Sequence, residues 1–312
     1  MIHIKKILFP TDYSRCSDQA LVRALWLAEH HGAELHVVHA LLPLDFDPYN
    51  LAHHLPDLEG LQRQINRMTS VRTPAYRNYT DVEIVSTTVR GIAAAPAILT
   101  YAAEHDIDLV VMGTHGRRGI NHFLLGSVAE EVVRMSPCPV LTVRETTPET
   151  LEPKQILIPL DFSDFSCEAF GVARSLAADL GATLRALHVV EETIHPSFYI
   201  TGQTSLESWF PEIEASSVKE MQRIAEQAGG PEVPVEYHIK EGRAAVDIVT
   251  FAKRNDIHLI VMASHGLSGI EHFLLGSVTE KVVRLAPCPV LTVKSFGRSL
   301  VVKEQNTLAA VK

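Results

Sequence analysis

Cysteine is scarce in this chain: four in 312 residues, at Cys16, Cys138, Cys167 and Cys288, with neither a Cys-x-x-Cys pair nor zinc-finger spacing. That pattern argues against a disulfide scaffold and a ribbon-type zinc site, and the expectation is reduced thiols packed inside a cytoplasmic protein. Long apolar runs are missing too. No stretch approaches the roughly 18 to 20 residues that a membrane-spanning helix needs, so membrane insertion is not expected. The opening MIHIKKILFPTD has too short an apolar segment for a signal peptide and reads as a strand. Basic residues are outnumbered, 28 Lys and Arg against 37 Asp and Glu, for a formal net charge of -9. A general nucleic-acid surface draws on dense Lys and Arg, and this balance speaks against one. A single local phosphate site remains compatible with it.

What the chain does have is an ordinary globular composition, 46% hydrophobic and 21% charged, in a length that suggests about two domains. It also has a stretch written twice. Gly113 to Arg144 and Ala263 to Lys294 align without a gap and agree at 22 of 32 positions. Each copy leaves a buried apolar run, crosses a glycine-punctuated loop, enters a helix at Gly-Ser and closes on Pro-Cys-Pro-Val-Leu-Thr-Val. Strand, anion-binding loop, helix and strand is the layout this implies.

The rest of the chain repeats around that stretch. In the first half, strands are expected at Ile4 to Pro10, Leu35 to Leu42, Val82 to Val89 and Leu109 to Met112. Helices are expected at Cys16 to His31 and Ala93 to His105. In the second half, Gln155 to Pro159, Ala182 to Val190, Val235 to Lys240 and Leu259 to Met262 read as strands. Cys167 to Leu180, Leu206 to Ala228 and Ala244 to Asn255 read as helices. The pattern predicts an α/β fold of two repeated domains, each a parallel sheet covered by helices on both faces. The expected boundaries are 1–145 for the first domain, 146–153 for a linker, 154–295 for the second domain and 296–312 for a tail. The tail reads either as an edge strand at Leu300 to Val302 or as a loose end. The proline-bearing segment 43–80, with a helix around Asp57 to Thr69, is a candidate lid or dimer surface.

Gly113 and Gly116 follow a buried strand, where glycine lets the backbone turn and a phosphate approach the amides. Gly126 and Ser127 stand where a helix begins, so free N–H groups and the helix dipole favour an anion, and the Ser127 hydroxyl can cap or donate. Arg117 and Arg118 add positive charge to this loop; the second copy has Leu267 and Ser268. If the first and fourth strands are neighbours, Asp12 faces the glycine loop. A carboxylate there suits ribose hydroxyls or a metal-mediated contact, or it caps the helix that follows. The second copy retains Asp161, Gly266, Gly276 and Ser277, but Ala263 replaces the first glycine and Leu160 replaces Thr11. A positive φ or close ligand approach at 263 would make that methyl costly by about 1 kcal/mol.

These features resemble the universal stress protein family, whose nucleotide-binding members carry Gly, two residues, Gly, nine residues, then Gly-Ser or Gly-Thr. Gly113, Gly116, Gly126 and Ser127 match that motif, and Pro10-Thr11-Asp12 and His39-Ala40 extend the similarity. The resemblance implies two repeated Rossmann-like domains, each a five-stranded parallel sheet with helices on both faces, and ATP or another adenine nucleotide, with magnesium as a candidate companion. Asp12 would then meet the ribose, Ala40 the adenine, and the glycine loop with Ser127 and Val128 the phosphates. Asp161, Val189, Gly266, Gly276, Ser277 and Val278 would form a weaker second site. It also implies an intramolecular pseudo-dimer, with a homodimer and an unidentified protein partner as further expectations.

Other readings stay open beside this one. The glycine loop can be a ligand-free turn, which would make the protein an interaction scaffold whose strands Val140 to Val143 and Val290 to Val293 pair the halves. A slow ATP hydrolase is the remaining alternative, although no Walker loop, no Lys in either glycine loop and no second acid beside Asp12 support one. His53, His54, His115, His122, His265 and His272 lack ligand spacing, so no metal site is assigned, and no catalytic residue is named.

Overall fold

A computed structural model describes residues 2–42, 82–115, 125–145, 147, 150–191, 211–266, 275–294 and 296–301. Segment 43–80, the helix start at 206–210 and the tail beyond 301 lie outside these residues. So do Gly116, Arg117 and Arg118, and His53, His54, His122 and His272.

In the first half, β1 (Lys6–Pro10), β2 (Glu34–Leu41), β3 (Ile84–Arg90), β4 (Leu109–Gly113) and β5 (Val140–Val143) alternate with α1 (Arg15–His31), α2 (Ala94–Glu104) and α3 (Ser127–Met135). The second half has β6 (Gln155–Leu160), β7 (Thr183–Glu191), β8 (Val235–Gly242), β9 (Leu259–Ala263) and β10 (Val290–Val293). Its helices are α4 (Asp164–Leu180), α5 (Pro211–Ala228), α6 (Ala244–Arg254) and α7 (Ser277–Leu285). Each half is a parallel sheet in the order β3-β2-β1-β4-β5 or its repeat, β8-β7-β6-β9-β10, and the two join as one ten-stranded sheet. The join is antiparallel, Leu141 opposite Leu291, so the closing strands do pair the halves.

The central strands β1, β4, β5, β9 and β10 are apolar at nearly every position because both faces are covered, whereas the outer strands β3 and β8 are polar at several positions and only partly buried. Side chains alternate across the pleat. Ile7 and Phe9 enter one core, which runs uninterrupted through both halves to Ile158, Val261 and Val293. Leu8 enters another core under α2 and α3, and Leu157 its counterpart under α6 and α7. One face of the sheet therefore carries a shared core, and the other face two separate ones.

The helices start and stop for local reasons. Ser14 caps α1 by accepting from the Ser17 amide, and Gly32 ends it at φ 63. Ser163 caps α4 by accepting from Ser166, so this helix opens three residues before the expected Cys167. The seam is reinforced symmetrically: Thr142 Oγ1 donates to the Val290 carbonyl and Thr292 Oγ1 to that of Val140, each at 3.1 Å. Arg144 reaches the Ala286 carbonyl at 3.1 Å, and its counterpart Lys294 reaches those of Val133 and Arg134. Each half thus sends a basic side chain to the carbonyl-rich end of the other half's last helix.

The described part of the tail is an ordered strap, not a loose end. Arg298 bonds Asp106 and Asp108, Leu300 is buried, and Val301 forms an antiparallel bridge with Ile2. Among the described residues, no helix is long and apolar enough to cross a membrane.

Candidate functional site

The sheet order reverses between β1 and β4, which pair at Ile7–Leu109 and Leu8–Val110. Ligands of open parallel sheets sit outside the strand carboxyl ends at such a switch point. There the chain after β1 turns sharply. Thr11 donates its amide to the Val38 carbonyl, Asp12 Oδ1 accepts from the Ser14 amide, and Tyr13 sits at φ 62. A left-handed tyrosine is a strained residue of the kind that clusters at functional sites. The Thr11 hydroxyl is spent inside the turn, on Ser17 Oγ at 2.8 Å and the Tyr13 amide at 3.1 Å.

Asp12 does not cap α1, and Asp161 does not cap α4. Ser14 and Ser163 do so, and each aspartate instead holds the capping serine, Asp161 Oδ1 taking both the amide and the hydroxyl of Ser163. This leaves the aspartates at the turn itself, facing the β4 side. Ser14 Oγ reaches the His115 carbonyl at 3.5 Å, and in the second half a Cβ on Gly266 would meet Asp161 Oδ2 at 2.5 Å.

Across from this turn, the loop after β4 is stitched to the start of α3. Gly126 donates to the Thr114 carbonyl at 2.8 Å, and the first bond inside the helix runs from Glu130 to Gly126. The amides of Ser127, Val128 and Ala129 therefore precede any helical acceptor and aim along the axis toward the strand ends. Gly126 itself is the N-cap position and Ser127 the first helical residue, with no side-chain cap, so the capping role expected for the Ser127 hydroxyl is not observed. Ser127 is exposed. The second half repeats the arrangement with Gly276, Ser277 and Val278. Thr279 there turns its hydroxyl to the Ala263 carbonyl at 2.9 Å.

The requirement for glycine at 113 differs from the expected one. Neither Gly113 nor Ala263 has a positive φ, so conformational strain does not separate the halves. What separates them is packing: a Cβ on Gly113 would lie 3.0 Å from Cys16 Sγ and 3.1 Å from the Cys16 carbonyl carbon and oxygen. In the second half Phe165 stands where Cys16 does, and the Ala263 methyl joins the core. Leu160 likewise is buried in that core where Thr11 is polar.

The other nominated residues lie at the same sheet edge. Pro10 is buried at the end of β1 opposite Val38, and Ala40 and Val189 are half-buried near the ends of β2 and β7. His39 enters the sequence reading only as part of the family similarity, and Tyr13, His188 and Phe162 escape it. His39 donates Nδ1–H to the Thr11 carbonyl at 2.8 Å with its ring 4.9 Å from that of Tyr13; His188 does the same to Leu160, stacked at 4.0 Å on Phe162. The signal was available, since Tyr13/Phe162 and His39/His188 share one offset with Asp12/Asp161. The nominated His115 and His265 bond Thr114 and Ser264 through Nδ1 at 2.9 Å.

A model of the universal stress protein family matches residues 3–144 and again 152–294. The chain belongs to the universal stress protein family. Universal stress protein MJ0531 of Methanocaldococcus jannaschii is 37% identical over 142 residues, covering 45% of this chain and 82% of that one. Universal stress protein Slr1230 of Synechocystis is 26% identical over 313 residues, covering 93% and 99%, so it shares the tandem arrangement. Among solved structures, a universal stress protein from Archaeoglobus fulgidus superimposes with a TM-score of 0.66 at 19% identity, covering 93% of this chain and 98% of that chain. That likeness shows the fold.

Proposed function

We propose that this protein is a regulatory universal stress protein that binds ATP or a related adenine nucleotide in its first half, and binds it more weakly in its second. The observation that carries the reading is the convergence at the β1/β4 switch point of the strained Asp12–Tyr13 turn and the first-turn amides of α3, which have no helical acceptor among the described residues. The amides of Ser127, Val128 and Ala129 suit an anion, and the Ser127 hydroxyl adds a donor. Asp12 suits a ribose better than a phosphate, because like charges side by side would repel. Ala40, small and half-buried beside His39, leaves the flat face of a base its place near β2. Magnesium would come with the nucleotide phosphates and not from a carboxylate cage.

Nucleotide occupancy would then act by biasing shape or partner choice, with no catalytic residue assigned. Denaturing the purified protein and identifying the released small molecules by mass spectrometry tests this directly. An adenine nucleotide near one equivalent per chain is expected. Finding none, together with no change in melting temperature on adding ATP, would leave the chain as a nucleotide-free scaffold joined through β5 and β10.

A further inference from the structure

Away from the strand ends, α1 and α4 meet across the two halves at their last turns, and three side chains converge there. His30 Nε2 lies 3.0 Å from Asp179 Oδ2, and His31 Nε2 lies 3.9 Å from the same oxygen. The donor atoms all fall within 4.8 Å of one another. His30 and Asp179 occupy equivalent positions of the repeat, so the cluster straddles the relation between the halves.

Three observations set this cluster apart from an exposed ion pair. The His31 side chain is only 8% exposed, yet its Nε2 is buried without a hydrogen-bond partner. A buried imidazole nitrogen left in that state costs free energy unless something engages it. Secondly, Asp179 stands in the last turn of α4, a turn that contains no basic residue. An acid there opposes the helix dipole, and α1 ends at the same place, so two negative helix poles and a carboxylate share one spot. Thirdly, Trp26 stacks on His30 with ring centroids 5.3 Å apart and planes 16° from parallel, which fixes the direction of that ring.

We propose that His30, His31 and Asp179 form a divalent transition-metal site, zinc by donor preference, that staples the two halves together. Two imidazoles and a carboxylate are a borderline-soft set that suits zinc, with the remaining position open to water. Ligands at about 2.0 to 2.1 Å around a tetrahedral ion stand about 3.3 Å apart, a separation that the 3.0 and 3.9 Å distances bracket. His30 and Asp179 are each about one-third exposed, which gives the ion a way in from solvent.

The test uses the full chain, stripped with EDTA, dialysed and titrated with zinc chloride against a chromophoric chelator. Melting temperature is read with and without zinc. One site per chain is expected, with a rise of several degrees in melting temperature on zinc addition. His31→Ala and Asp179→Asn should each weaken that site by at least about 100-fold and abolish the rise, since even loss of an outer-sphere partner costs 10- to 100-fold. Asp179→Asn keeps an oxygen for His30, so its metal-free fold serves as the reference if His31→Ala fails to fold. Zinc affinity unchanged in Asp179→Asn would overturn the proposal. So would loss of the site in a His53→Ala/His54→Ala variant with Asp179→Asn unaffected.

Discussion

The two halves of the sheet carry nearly the same loop, and they differ where α1 or α4 passes the end of the fourth strand. In the first half an added methyl at Gly113 would meet Cys16 at 3.0 to 3.1 Å, tighter than ordinary van der Waals contact, so a neighbour would have to give way. In the second, Phe165 and Ala263 have replaced that pair, and Leu160 has replaced the polar Thr11. A repeated motif can therefore lose a glycine for reasons of packing without any change in backbone conformation. The second loop keeps its aspartate, its helix-start glycine and its hydrogen bonds. What it has traded is polarity and closeness at the base of the site.

The comparison can be broken most decisively at Gly113. Gly113→Ala forces the first half into contact with Cys16 backbone, and urea unfolding should show a loss of about 1 to 3 kcal/mol. Ala263→Gly should cost about 1 kcal/mol or less, from lost burial and added chain freedom. Equal effects would show that the Cys16 contact gives way easily. Next in size, Gly126→Ala should weaken adenine nucleotide binding more than Gly276→Ala. The added Cβ would lie 3.1 Å from the Thr114 carbonyl oxygen in one case and 3.4 Å from that of Ser264 in the other. About tenfold against about twofold is the expected contrast by calorimetry, a difference of roughly 1 kcal/mol. Identical losses would mean that both halves bind alike.

Smallest is a prediction on which the halves should agree. Burial pushes the Cys138 thiol up to about 11 and the Cys288 thiol up to about 12, from an ordinary value of 9.0. Neither should react with iodoacetamide at pH 8 in the folded protein, while the partly exposed Cys167 does. A raised thiol stabilises the fold fully below the unfolded value, and that contribution is lost as pH climbs through the folded one. Stability should therefore decline from about pH 9 toward pH 11 and 12. Peptide mapping that finds Cys138 labelled first would contradict this packing role.

The order of strands and helices is legible in the sequence because the central strands are short apolar runs and most helices end on glycine or a polar turn. The pairing of the halves through the duplicated Val-Leu-Thr-Val segments is also legible, as one of the readings; its antiparallel sense is not. Other features depend on partners remote in the chain. The clash that explains Gly113 comes from Cys16, the hook on Thr11 from His39, and the strap's anchor from Ile2 and Asp108. Local periodicity carries no record of such pairs. The helix starts are a different case: Ser14 and Ser163 were readable as caps, but the aspartates two residues earlier competed for the same role.

The strap from Arg298 to Val301 has a consequence for how the chain comes off the ribosome. The bridge from Val301 to Ile2 and the bonds from Arg298 to Asp106 and Asp108 complete the first half with residues made after the whole of the second. Strand β5 also waits for β10 to cover its outer edge. During synthesis the first half must therefore persist with a bare strand edge and an open base until the last strand emerges, which makes the duplicated chain a single folding problem of high contact order.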